Sequence, residues 1–391
     1  MNRSWLSGGD GNAVPQRSDL DHSPLLAFYE LTRACDLVCK HCRASAQSLA
    51  NPFELSPEKS RQLVHQLTEF PRPPALVLTG GDPLKREDIY DLIDYAVKRR
   101  LEVAITPSAT PLVTRKALSR LRDAGIARLA ISLDAADAAT HDAIRGVPGS
   151  YERTREIMAD ANSLAIPLQI NTVLSPVNVE QIEKLGDLLE EQSIVLWSVF
   201  FLVPVGRAAG APRLNASECE AAFERLWQQS QVRSYRIKTT EAPHFRRFLL
   251  QKTRQPGHRE ASRSPTRQFS HLSALGINDG KGIMFISHLG LIYPSGFLPI
   301  NCGVFPRDHL VQVYQEAPLF RALRDAERLE GKCRLCEYRN ICGGSRARAF
   351  AVSDNPLAEE PDCAYLPSAL QENPAAARRT RRGSIPAAPA S

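Results

Sequence analysis

Short apolar runs alternate with amphipathic helical stretches from Leu25 to about Leu226, and few folds accept such a pattern. The apolar runs fall at residues 25–31, 75–78, 103–106, 128–133, 168–173 and 195–203. Helical periodicity lies between them, at 57–70, 88–98, 115–124, 151–165 and 179–191. Six β/α units in a row predict a parallel sheet covered by helices. Six is fewer than a closed barrel needs, so an α/β fold with a partial (β/α)6 TIM-like barrel is expected. In such folds the chemistry sits where the strands end.

After Leu226 the pattern changes. Residues 235–240 look extended and 244–250 helical, 282–287 and 290–293 form a hairpin pattern, and 318–330 is helical. A small cysteine-rich α+β domain closes the chain. The expected organisation is a disordered N-terminus at 1–22, the barrel at 23–232 and a bridging segment at 233–281 with a basic mobile loop at 251–270. The cysteine-rich domain follows at 282–367, then a disordered basic tail at 368–391.

The net charge of +6 comes from two segments. Lys252, Arg254, Arg259, Arg263 and Arg267 occupy the loop, and Arg378, Arg379, Arg381 and Arg382 the tail. Neither has a folded element to organise a nucleic-acid surface, so nucleic acid is not an expected partner. No apolar stretch is long enough to span a membrane, and the polar N-terminus lacks a secretory signal. Nine cysteines in such a chain point to metal binding in a reducing, cytoplasmic compartment rather than to disulfides.

Directly after the first run stands Cys35-Asp-Leu-Val-Cys39-Lys-His-Cys42. Three thiolates on one loop suit iron–sulfur clusters or zinc. A four-iron cluster normally takes four thiolates, so three leave one iron open to another ligand. Thr79-Gly80-Gly81-Asp82-Pro83 follows the second run, and glycines there let backbone carbonyls approach a ligand. Further strand ends carry Ser108, Ser132, Asp134, Asn171 and Pro204, with Arg145 in Ile144-Arg145-Gly146-Val147-Pro148-Gly149-Ser150; each could equally serve as a cap or a surface ion pair. Near the C-terminus, Cys333, Cys336, Cys342 and Cys363 could fill one cluster or hold one zinc, and spacing does not choose between them.

The first cysteine motif resembles the CxxxCxφC signature of the radical S-adenosylmethionine (SAM) superfamily, with His41 in place of the usual aromatic residue. Gly80-Gly81-Asp82-Pro83 resembles the superfamily's GGEP motif, with Asp for Glu. The resemblance implies a [4Fe-4S] cluster on Cys35, Cys39 and Cys42, its open iron chelated by SAM. One electron then cleaves SAM to a 5′-deoxyadenosyl radical, which abstracts a substrate hydrogen. It also implies a SAM-binding set of His41, Gly80, Gly81, Asp82, Pro83, Ser108, Ser132, Asp134, Arg145, Asn171 and Pro204. The later cysteines resemble a SPASM/twitch extension, which implies one auxiliary [4Fe-4S] cluster on Cys333, Cys336, Cys342 and Cys363. Ser295 and Arg346 stand where a fuller SPASM domain has cysteines, and Cys302 is expected to be a plain buried thiol.

This group holds tetrapyrrole-modifying enzymes and maturases of ribosomal peptides, so the resemblance implies an oxidoreductase or lyase of heme-type biosynthesis, or a peptide maturase. A reduced flavodoxin or ferredoxin-type donor is the implied electron source. About two dozen residues precede the first run, which favours a small-molecule substrate; Arg33, Arg43, Arg145 and Arg207 are candidates for meeting its carboxylates. A non-catalytic iron–sulfur or zinc protein that binds nucleic acid is the contrasting expectation.

Overall fold

Each apolar run becomes a strand because a β-rich segment buried on both faces needs no polar alternation. The computed structural model describes residues 16–254 and 275–371. The strands are β1 Leu26–Glu30, β2 Ala75–Thr79, β3 Val103–Ile105, β4 Arg128–Ser132, β5 Leu168–Leu174 and β6 Ile194–Phe201. They pair in parallel and in chain order.

The sheet is wider than six strands. β7 Arg236–Thr240 pairs in parallel with β6, and β8 Ile283–Ile286 pairs in parallel with β1. β9 Leu291–Tyr293 and β10 Gly303–Val304 then continue it antiparallel. The expected hairpin is present as β8 and β9, and it is built onto the barrel sheet itself. The extended segment expected at 235–240 is β7, and it joins the barrel sheet although Arg236, Lys238 and Thr240 interrupt any apolar run.

Helices Pro57–Leu67, Ile89–Lys98, Arg115–Asp123, Ser150–Ser163 and Ile182–Glu190 cover the outer face of the sheet. Their starts are chemically marked: Ser56 accepts from the Lys59 amide and Thr114 from the Ala117 amide. Helices outside the sequence expectation include Ala138–Arg145 and Ala216–Val232, the second opened by a capping box between Asn215 and Glu218. The helix expected at 318–330 is shorter, Pro318–Arg324, because the Asp325 side chain turns the chain by accepting from the Glu327 amide.

Strand alternation divides the side chains into two sets. Tyr29, Leu76, Leu78, Ile105, Ile131 and Ile170 point outwards under the helices and are fully buried. Each such side chain contributes roughly 2 kcal/mol through burial. Phe28, Val77, Ala104, Ser132, Asn171 and Phe200 point inwards and line a cavity.

Residues 1–15, 255–274 and 372–391 lie outside the described residues, and with them most of the segments expected to be disordered or basic. What is described departs from that expectation. Residues 19–22 form the short helix Asp19–His22, whose Leu20 is fully buried and whose Leu20 carbonyl accepts from the Tyr314 hydroxyl at 2.7 Å. The helix His244–Arg254 runs into the first residues of the basic loop, and Ser368–Gln371 is helical. No helix among the described residues is long and apolar enough to cross a membrane.

Candidate active site

Beyond β1 the chain leaves the sheet and folds back as the cysteine loop. A backbone clamp sets its shape: the Cys35 amide donates to Gln47 O at 2.7 Å, the Gln47 amide to Arg33 O at 2.9 Å, and the Lys40 amide to Ile144 O at 2.9 Å. Cys35, Cys39 and Cys42 all line one cavity of ≈ 520 Å³ inside the barrel. Each sulfur has a donor at hand. The Leu37 amide approaches Cys35 Sγ at 3.4 Å, the Ala46 amide approaches Cys42 Sγ at 3.4 Å, and Arg145 Nη1 approaches Cys39 Sγ at 3.7 Å. Donors aimed at sulfur suit anionic thiolates and tune iron–sulfur clusters, so this loop fits a cluster of three thiolates. Burial pushes the Cys35 thiol up from its ordinary range, and coordination to a metal removes the proton outright.

The end of β2 packs directly on this loop. The Gly81 amide donates to Thr32 O at 2.8 Å and the Asp82 amide to Ala34 O at 2.7 Å. A Cβ on Gly80 would lie 2.5 Å from Thr32 O, and one on Gly81 2.4 Å from Ala34 O. The two glycines therefore let strand end and cysteine loop touch backbone to backbone, in addition to lining the cavity. Gly81→Ala is expected to destabilise the protein by on the order of 3 kcal/mol, because two backbones must separate. Thermal unfolding and iron content per chain check it; wild-type values for both would mean the junction has slack.

Ser108 ties the next strand end to the same place. Its hydroxyl lies 2.8 Å from Gly81 O, which it donates to, and 3.2 Å from Cys35 Sγ. After β6, Gly206 performs the same service as Gly81: a Cβ there would lie 2.4 Å from Arg43 O, and the Arg207 amide donates to Cys42 O at 3.0 Å.

Several of the expected SAM-binding residues stand behind the cavity wall. Asp82 is fully buried and accepts from Thr110 Oγ1 at 2.7 Å and from the Leu84 amide at 3.1 Å. Burial raises its carboxyl pKa, against those hydrogen bonds. It holds the turn, with Pro83 beginning the next turn of helix. Asp134 is also fully buried. Burial would raise its pKa, and the ion pair with Arg145 Nη2 at 2.7 Å brings it below the usual range; His41 Nε2 lies 3.5 Å from the same carboxylate. Pro204 lies outside the cavity lining as well.

His41, Gly80, Gly81, Ser108, Ser132, Arg145 and Asn171 do line the cavity. Burial holds the His41 imidazole down at about 4, so it is neutral at pH 7. Arg145 is engaged on both sides, by Asp134 and by Cys39. Asn171 Oδ1 accepts from Gln169 at 2.7 Å.

Cys333, Cys336, Cys342 and Cys363 gather in a second neighbourhood. Burial pushes Cys336 and Cys363 each up to about 11, and nearby thiols add to both effects; Cys342 feels Cys363, Cys333 and Cys336 together. Amides aim at sulfur here too, Glu360 at Cys333 Sγ (3.3 Å) and Gly344 at Cys342 Sγ (3.4 Å). Among the described residues no three His, Cys, Asp or Glu side chains converge on a point for one metal ion. The donor set, all thiols with amide donors, fits a cluster.

Arg346 is almost fully buried and donates to Gly344 O, Pro356 O and Ala358 O, with Nη2 3.9 Å from Cys333 Sγ. Ser295 lines the main cavity. Cys302 lies apart, its thiol pushed up to about 12 by burial alone and 3.5 Å from Ile300 O.

The two cysteine groups share one body of structure. Asn278 Nδ2 donates to Cys342 O and Gly344 O, Arg246 Nη1 donates to Ile341 O at 3.0 Å, and Arg348 donates to Phe201 O and Glu241 O at the ends of β6 and β7. Asn278, Arg246 and Glu241 line the main cavity. Of the arginines expected to meet a substrate, Arg43 is already paired with Glu30 at 3.2 Å and stacked over Phe285 at 4.6 Å, and Arg33 pairs with Glu30 at 3.4 Å. Arg207 lines the cavity, with Nη1 3.4 Å from Ala46 O.

Comparison with known proteins follows from this geometry. Residues 29–189 match the Radical SAM superfamily. The chain is 36% identical over 364 residues to the AdoMet-dependent heme synthase of Nitratidesulfovibrio vulgaris, covering 92% of this chain and 98% of that protein. It is 34% identical over 348 residues to the AdoMet-dependent heme synthase of Methanosarcina barkeri, covering 89% and 98%. Among solved structures, Streptococcus suis SuiB bound to S-adenosylmethionine superposes with a TM-score of 0.67 at 19% identity, over 88% of this chain and 78% of that one, a likeness of fold.

Proposed function

The chain belongs to the radical SAM superfamily, in the family of the AdoMet-dependent heme synthases, and on that premise we propose an enzyme that decarboxylates or removes propionate side chains of a tetrapyrrole. One observation carries the substrate class. The cavity that holds Cys35, Cys39 and Cys42 is walled by Phe28, Phe200, Phe285 and Phe297, flat apolar faces suited to a macrocycle. The near-full-length likeness to heme synthases supports the same substrate.

A cluster with bound SAM supplies one-electron cleavage and a radical that takes a hydrogen atom from the substrate. The chain's own residues do the rest. Arg145 and the amides of Leu37 and Ala46 hold charge at the cysteine sulfurs. The aromatic wall excludes water, which protects a reactive species from side reactions. Glu241 stands at the end of β7 with its carboxyl pKa raised far above the usual range, by burial and by neighbouring Asp279, against a hydrogen bond from Ser345.

In this reading Cys333, Cys336, Cys342 and Cys363 hold one auxiliary cluster in a SPASM/twitch-like segment, and a reduced flavodoxin or ferredoxin-type protein delivers electrons. A reducing cytoplasm agrees with nine cysteines that are all free thiols. The test is anaerobic reconstitution, addition of SAM and dithionite, and incubation with iron-coproporphyrin. The expected result is 5′-deoxyadenosine together with loss of substrate mass as carbon dioxide. Deoxyadenosine without a mass change points to a peptide substrate; neither product removes the enzyme.

A further inference from the structure

Two cations stand inside the barrel without an ion pair or a hydrogen bond among the described residues. Arg128 opens β4 and Lys238 lies in the middle of β7, and strand alternation turns both into the cavity. Arg128 is 7% exposed, and its Nε is buried without an acceptor. Neither side chain has an ion pair or hydrogen bond among the described residues. Burial drives Arg128 down to about 10 and Lys238 to about 8, and Arg128, Arg236 and Arg246 press further on Lys238.

The other charges around them do not supply a counter-ion to Lys238. Glu102 favours the charged form of Arg128 only weakly against that burial. Glu241 and Asp279 line the same cavity, and neither is among the charges that act on Lys238. Arg246 is already bonded to Ile341 O. Buried charges without partners cost far more than apolar residues of the same size, so packing alone does not account for two of them. Groups of this kind mark places where a ligand completes the pairing.

We infer that Arg128 and Lys238 form the carboxylate-recognition site of the cavity, where they pair with acid side chains of the substrate that are not being transformed. The inference rests on the tetrapyrrole reading and adds which residues read the carboxylates. Arg128 presents a planar guanidinium to a carboxylate, and Lys238 a compact ammonium. They orient the macrocycle so that one propionate edge faces the cysteine loop.

The experiment titrates reconstituted holoenzyme anaerobically with iron-coproporphyrin, and separately with its tetramethyl ester, following the porphyrin absorption band. Lys238→Met and Arg128→Met are each expected to weaken binding of the free acid about tenfold to a hundredfold. Binding of the ester stays at the wild-type level, and Lys238→Arg keeps most of the affinity for the acid. The Tm of Lys238→Met stays level or rises, because an unpaired buried charge has been removed. Unchanged acid binding in both variants, equal losses for acid and ester, or a lowered Tm in Lys238→Met overturns the inference alone. A wild-type protein that binds neither acid nor ester overturns the tetrapyrrole reading and this inference with it.

Discussion

Replacing Cys39 with alanine is expected to lower reductive SAM cleavage by more than about a hundredfold, the upper end of what losing a mere outer-shell partner of a metal site costs. Cys39 is one of three thiols on a loop whose backbone is clamped to Gln47, Arg33 and Ile144. Among the described residues no other cysteine lines the cavity beside them, so no substitute thiolate is at hand there. The fold itself survives, because Arg145, which donates to Cys39 Sγ, keeps its ion pair with fully buried Asp134 at 2.7 Å. The measurement is 5′-deoxyadenosine after dithionite, with thermal unfolding in parallel. Wild-type amounts of deoxyadenosine would show that the cysteine loop is not where SAM is cleaved.

The second large effect separates the two cysteine groups. Cys336→Ala is expected to leave SAM cleavage near the wild-type level while product formation falls at least about tenfold, and iron content falls from about eight to about four atoms per chain. Cys336 shares its neighbourhood with Cys333 and Cys363, and it lies away from the cavity that holds the first three cysteines. The segment's attachment to the barrel does not depend on this thiol. It runs through Asn278, Arg246 and Arg348, which bond to backbone carbonyls. Parallel loss of both activities would show that the two groups do not divide the work as proposed. Loss of folding alone would give the second group a structural role.

Much of the barrel was legible because its signals are local. An apolar run of five residues buried between helices and lumen looks alike in any sequence, and β1 to β6 all form within the predicted runs or a residue of them. Caps such as Ser56 and Thr114 announce the helices in the same local way. The segments that widen the sheet were legible as extended chain, but their place in the barrel sheet was not. β7 carries Arg236, Lys238 and Thr240 on its inner face, and polar residues at alternate positions ordinarily mean a solvated face. β8 looks like one arm of a hairpin, which it is, and nothing in its residues says that its other edge meets β1.

At the site, the cysteine spacing was informative and the roles of some neighbours were not. Asp82 follows two glycines beside a ligand-binding loop, where a carboxylate suggests an ammonium partner. In the fold its side chain turns away to Thr110 and the Leu84 amide. Arg33 and Arg43 looked available for a substrate, yet both pair with buried Glu30. Arg128 and Lys238 are single cations within predicted strands, and nothing beside them in sequence marks either as a ligand-binding group.

The amino-acid order by itself determined the β/α rhythm, the thiol triplet after the first strand and the four later thiols, because each depends on residues within a few positions of one another. Only the tertiary structure decided which cations are paired and which face the cavity. Arg128 and Lys238 are 110 positions apart in the chain. They share one cavity because the sheet curves until β4 and β7 look into the same lumen, and side-chain alternation turns both residues inward. That meeting is set by the pairing of whole strands, a sum of many backbone hydrogen bonds and buried contacts that no short stretch of sequence encodes.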